Sequence, residues 1–115
     1  MKNAVVKLVA GLVAASLVAG AVCSAVEFGT QELAFFDRNC SDCHDATAKE
    51  GGLDLAALSR DLSDAESLRR WVRVYDRIAG GEMPPKDAPQ PDAAAKKAFL
   101  ASLSPQLAAD RKSVV

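Results

Sequence analysis

Five consecutive residues, Cys40-Ser41-Asp42-Cys43-His44, put two thiols three positions apart with an imidazole directly behind the second. On the last turn of a helix and the bend after it, two thiols at that spacing reach two vinyl groups on one edge of a porphyrin. The imidazole is then held under the iron as a fixed axial ligand. His44 is the only histidine in the chain, so nothing of its type competes for that role. Other chemistries also use a Cys-x-x-Cys. A redox dithiol of the thioredoxin kind sits in a βαβ pattern, and no convincing strand can be read after residue 25. Zinc needs four ligands from Cys, His or carboxylate, and no second Cys or His pair follows. A disulfide between Cys40 and Cys43 would close a very small loop and stabilise little. Covalently attached haem c is the reading this pentapeptide favours.

Met83, in Gly81-Glu82-Met83-Pro84-Pro85, is the second candidate and the only methionine besides Met1. A thioether sulfur opposite a histidine is a common sixth ligand of haem iron, and it raises the reduction potential. Such a sulfur must come from a rigid, non-helical segment that points inward. Pro84 and Pro85 each fix their own φ, and Pro84 turns Met83 away from helical geometry. A lone methionine within a helix reads as core filler. Between Gly-Gly and Pro-Pro it reads as a ligand. The expected site is therefore Cys40, Cys43, His44 and Met83, with the iron held by His44 and Met83.

The elements that must position these residues read as helical. Thr30 can cap a helix from Gln31 to about Asn39, with Leu33 and Phe36 on one face, delivering Cys40 at its end. Asp45 to Gly52 is a polar loop in which Gly51-Gly52 allows a tight bend. Leu53, Leu55 and Leu58 follow in an expected short helix. Ser63-Asp64-Ala65-Glu66 has the form of a capping box. It opens the longest helix, whose apolar positions Leu68, Trp71, Val72, Tyr75, Ile78 and Ala79 keep a helical period. Gly80-Gly81 ends it and hands the chain to Met83. Lys86 to Pro91 is a Pro-rich connector, and a last helix from Asp92 to Leu103 carries Phe99, Leu100 and Leu103. The arginines of the long helix (Arg69, Arg70, Arg73, Arg77) read as a solvated face, with Glu66, Asp64 and Asp76 nearby. Trp71 reads as core, its indole N–H free to find a polar partner.

The 115 residues suit one domain, and 14 Lys+Arg against 15 Asp+Glu leave the chain near neutral. No basic block is interleaved with aromatics, which excludes a nucleic-acid partner from the reading. Residues 1–25 read as a secretory signal. Lys2 and Lys7 precede an uncharged run from Leu8 to Val22, and small residues at Cys23-Ser24-Ala25 suit cleavage after Ala25. An uncleaved anchor is the alternative, and only then is a membrane a partner. Lipid attachment at Cys23 is disfavoured by Val22 before it. Export to the periplasm or cell envelope follows from the leader. The remaining domain, 26–103, is poor in large side chains, and its aromatics are Phe28, Phe35, Phe36, Trp71, Tyr75 and Phe99. A domain that small is marginal on its own core, and exported ones recruit disulfides or metals as staples. A bulky apolar cofactor serves that need.

Taken together, several segments resemble the planctomycete-type cytochrome c domain, over about Leu33 to Leu103. They are Asn39 to His44, Gly51-Gly52-Leu53-Asp54-Leu55, Trp71, and Asp76 to Pro85. The resemblance implies an all-α, small class I cytochrome c-like fold, three to five helices around one covalent haem, with first and last helices packed crosswise. It makes Cys40 and Cys43 the thioether anchors, His44 the proximal ligand and Met83 the distal one. It also implies an N-terminal fragment of a larger exported protein, because such domains usually continue into further domains, whereas this chain stops at Val115. Asp110 to Val115 resembles a peptide encoded by sequencing-adapter DNA. That places 104–115 outside the domain, as a linker start and an artefactual tail.

The expected function is single-electron transfer through a haem with His/Met ligation, without a catalytic residue. The partner is a redox protein or a downstream domain of the same protein, in which case this domain is the relay of a larger oxidoreductase. A haem peroxidase or small-ligand sensor with an exchangeable distal position is the alternative. A non-haem dithiol or metal module stands behind both.

Overall fold

Gly29, rather than Thr30, caps the first helix, α1 (Thr30–Asn39), and no side chain bonds its free amides. A Cβ on Gly29 would stand 2.9 Å from a carboxylate oxygen of Glu32. The Glu32 side chain thus folds over the helix start, where negative charge complements the free N–H groups. No side-chain hydrogen bond replaces the hydroxyl cap expected from Thr30. The computed structural model describes residues 25–111 continuously, together with Gly11, Val13 and Ala15. The expected signal segment lies almost wholly outside the described residues, as does the tail beyond Arg111.

The second helix, α2 (Ala65–Ala79), is capped one residue later than the Ser63 box suggests. Asp64 is the N-cap, and its carboxylate accepts from both the Ser67 amide at 2.9 Å and the Ser67 hydroxyl at 2.7 Å. Those bonds, the hydroxyl first, hold the Asp64 carboxyl below the usual carboxylate range. The buried face of α2 is Leu68, Trp71 and Ile78, with Val72 and Tyr75 half-buried beside it. This is the helical period read from the sequence, except that Ala79 is exposed.

The third helix, α3 (Ala93–Arg111), starts at Asp92, whose carboxylate accepts from the amides of Ala94 and Ala95. It does not stop at Leu103 but continues through Pro105 to Arg111. Ser104-Pro105 reads as a stop because a proline lacks the N–H and crowds the preceding turn. The continuation has a tertiary cause. Phe99, Leu103 and Leu107 follow one another at four-residue spacing, and all three are buried.

The three helices meet around aromatic rings. Phe35 stacks on Phe99 with ring centroids 4.5 Å apart, and Phe36 meets the same ring edge-on at 4.9 Å. Adjacent residues of α1 therefore straddle one ring of α3, and Leu33, expected to face inward, is exposed. Phe28 adds its ring against Phe36 and Trp71, each at 5.2 Å, with the Arg60 guanidinium over it. α3 packs on both other helices. The chain before α1 is pinned on two sides. Val26 donates to the Arg60 carbonyl at 2.7 Å, beside an isolated antiparallel bridge between Ala25 and Asp61. The Gln106 amide accepts from the Glu27 N–H and donates to the Glu27 carbonyl. No strand forms among the described residues. The fold is all-α.

Candidate functional site

The Cys-x-x-Cys-His segment is wound into the C-terminal end of α1. Cys40 is the C-cap, and its N–H donates to the Phe36 carbonyl at 2.9 Å, which also receives the Ser41 amide and hydroxyl. The Cys40 carbonyl in turn accepts from the amides of Cys43 at 3.2 Å and His44 at 3.0 Å. One tight turn thus carries both thiols and the imidazole, as the spacing predicts.

Both cysteines are free thiols, Cys40 half-buried against the core and Cys43 exposed. Burial, followed by the neighbouring Cys43, pushes the Cys40 thiol up to about 11. A redox dithiol has the opposite character, with a thiol acidified by positive surroundings. Nor do Cys40, Cys43 and His44 converge as a zinc site: among the described residues, no three His, Cys, Asp or Glu side chains are grouped to hold an ion.

His44 is half-buried, and its Nδ1 is buried with no hydrogen-bond partner among the described residues. Leaving a buried polar atom unpaired costs about 1–3 kcal/mol. The rest of the residue is well held. Its carbonyl accepts from Leu55 at 2.9 Å, and the Cys43 carbonyl accepts from Glu50 at 2.8 Å, so the loop from Asp45 to Leu55 folds back onto the motif. Asp45 stiffens the start of that loop by accepting from Ala48 and Thr47, and those bonds lower its carboxyl below the usual range. The loop turns through a 3-10 segment (Glu50–Gly52), with Gly51 and Gly52 both at positive φ. Leu55 to Leu58 form a single turn rather than the expected short helix, opened by the Asp54 carboxylate, which accepts from the amides of Ala56 and Ala57. Leu55 and Leu58 still pack on the core.

Met83 is delivered by the end of α2. Gly80 is the C-cap and Gly81 follows with φ 75°, which reverses the chain. The Gly81 amide donates to the Ile78 carbonyl at 3.2 Å and the Glu82 amide to the Arg77 carbonyl at 2.9 Å, a Schellman closure. The Met83 amide shares that Arg77 carbonyl at 3.1 Å. The thioether is half-buried against the core, and Pro84 behind it is buried, joined through a cis peptide. Sequence reasoning passed over one residue of this loop. Gln90 sends its side-chain amide back to the carbonyls of Pro85 at 2.8 Å, Ala88 at 3.1 Å and Pro84 at 3.3 Å. Its only signal in the sequence is a lone amide in a Pro-rich connector, which no local pattern distinguishes.

Trp71 is fully buried, and its indole N–H is used by the Ser59 carbonyl at 2.8 Å. Of the four arginines of α2, Arg70 pairs with Glu66 at 2.8 Å and Arg77 pairs with Glu82; all four are exposed. A groove of about 530 Å³ lies between α1 and the start of α3, lined by Phe35, Arg38, Gln90 and Phe99 among others. It touches none of Cys40, Cys43, His44 or Met83.

Residues 40–87 match the family described as Planctomycete cytochrome C. That segment is similar to the planctomycete cytochrome c family over the stretch that holds both thiols, the imidazole and Met83. The match begins at the first thiol and ends just beyond Met83, while α1 and α3 lie outside it. No curated protein and no solved structure matches the chain. The similarity points to haem binding and electron transfer. The residues present fit that group: two free thiols on one turn, an imidazole with an orphaned buried nitrogen, and half-buried apolar side chains at Leu55, Leu58, Val72 and Tyr75.

Proposed function

We propose that this domain holds one haem c through thioether bonds to Cys40 and Cys43, with His44 and Met83 as axial ligands, and passes single electrons outside the cytoplasm. The observation that carries the reading is the His44 imidazole. It sits on the same turn as both thiols and has a buried nitrogen left without a partner. The haem would supply a reversible one-electron change at its iron.

The chain's own part is to bind and to exclude water. The turn at Cys40 to His44 sets the spacing of anchors and proximal ligand through its backbone bonds. The Asp45 to Leu55 loop covers that turn and, by taking the His44 carbonyl, holds the imidazole's backbone in place. Leu55, Leu58, Val72 and Tyr75 furnish apolar surface beside the core. Met83 is presented by a turn whose amides are already satisfied at the Arg77 carbonyl, so little reorganisation accompanies a change of charge. The near-neutral charge of the chain fits a partner met without strong steering. No helix of the described residues is long and apolar enough to cross a membrane. Export rests on the leader read in the sequence.

The test is spectroscopic. The full chain, exported in a host that attaches haem, should give a pyridine haemochrome typical of two thioether bonds, and a ferric far-red band from the thioether sulfur. Met83→Ala should keep the haem attached, lose that band, lower the potential and admit external ligands. An unchanged spectrum and potential would refute the distal assignment. Cys40→Ala should leave one thioether bond or none, and recovery of doubly attached haem would remove Cys40 as an anchor.

A further inference from the structure

Three independent ties converge on the short segment that carries Met83. Ahead of it, the amides of both Glu82 and Met83 close on the Arg77 carbonyl. The Arg77 guanidinium reaches over the same turn to pair with the Glu82 carboxylate. Behind it, the Gln90 amide is directed at the carbonyls of Pro84 and Pro85. None of these side chains contributes to the buried core: Arg77, Glu82 and Gln90 are all exposed. Prolines cannot donate backbone bonds, so Pro84 and Pro85 have only their carbonyls with which to be tied down. Gln90 supplies the donor that two successive prolines lack.

We infer that Arg77–Glu82 and Gln90 form a two-sided latch that holds the Met83 loop closed and thereby sets how readily the sulfur gives up its place to an external ligand. They are positioning residues and touch no reacting atom. This rests on the reading of Met83 as distal ligand. An external ligand binds only when the loop is open, and its apparent dissociation constant is its intrinsic one divided by the open fraction. While the closed form dominates, weakening a tie raises the open fraction, and apparent affinity rises by the same factor. An exposed ion pair is worth roughly a 1.4- to 5-fold change in that equilibrium. A neutral hydrogen bond is worth about 2- to 10-fold.

The experiment titrates the ferric, haem-loaded protein with imidazole and, in parallel, follows amide hydrogen exchange over residues 80–90 by mass spectrometry. Glu82→Gln should bind imidazole up to about fivefold more tightly, and Gln90→Ala about two- to tenfold. Both should exchange faster in the loop, with α1 unchanged. The charge swap Arg77→Glu with Glu82→Arg should return both readouts toward wild type. Arg69→Gln, on the same helix but in no ion pair among the described residues, should leave both where they were. If Met83→Ala greatly tightens imidazole binding while Glu82→Gln and Gln90→Ala change neither readout, the latch is wrong and the distal assignment stands. If Met83→Ala leaves imidazole binding unchanged, the distal assignment fails and the latch falls with it.

Discussion

Replacing Gly81 by alanine probes the turn that delivers Met83 with little else disturbed. Gly81 sits at φ 75°, and a Cβ built there meets nothing within 4 Å. Steric overlap with neighbours is therefore absent, and the cost is confined to the backbone. The left-handed region costs an L-residue about 1–2 kcal/mol. Alanine also restricts the unfolded chain, which returns about 0.4–1 kcal/mol. The net loss is about 1 kcal/mol. For a domain of this size that lowers the melting temperature by about 4–8 °C. Asparagine tolerates the same region better, so Gly81→Asn should lie between alanine and wild type. The assay is guanidinium unfolding of the haem-loaded protein, in which covalent attachment keeps the cofactor on the chain throughout. A second readout is local. The strain falls where Glu82 and Met83 close on the Arg77 carbonyl, so the ferric far-red band should weaken in Gly81→Ala before global unfolding begins. Equal midpoints for Gly81→Ala and wild type, or a worse Gly81→Asn, would refute the claim that a left-handed residue closes α2.

Leu107→Ala should cost about 2–5 kcal/mol, the usual range for a buried leucine, since Leu107 is 3 % exposed and packs in the core. A loss near zero on chemical denaturation would mean that the domain ends at Leu103. Asp64 concerns acid stability. Its folded carboxyl titrates below the unfolded value of about 3.9, because the Ser67 hydroxyl and amide bond the charged form. The stability it contributes is therefore complete above that value and fades as pH falls through the lowered one. Asp64→Asn keeps a good N-cap, so it should match wild type near neutrality and lose less stability from pH 5 downward. An acid limb identical to wild type would remove Asp64 from that account.

The locally legible parts of the fold are those whose partners are also neighbours in sequence. The Cys40 to His44 turn is closed by bonds spanning at most five residues, so its spacing alone dictates its shape. The stop at Gly80-Gly81 is of the same kind. Leu33 and Thr30 differ from expectation for the opposite reason: which face of α1 is buried depends on Phe99, and the helix starts one residue earlier, at Gly29.

By itself the sequence determined the helical class, the amphipathic period of α2, and the thiol-thiol-imidazole and Gly-Glu-Met-Pro-Pro segments proposed to hold the haem. These depend on covalent spacing, backbone preference and a 3.6-residue period, all of which act over one or two turns. Only the tertiary structure decided that α3 runs past Pro105 and that the Gln106 amide bonds the backbone of Glu27, 79 residues away. It alone left the His44 Nδ1 buried without a partner among the described residues and brought Gln90 back onto Pro84 and Pro85. Each of those depends on which surfaces meet when apolar side chains leave water. That free energy belongs to the packed chain as a whole, and no window of neighbouring residues contains it.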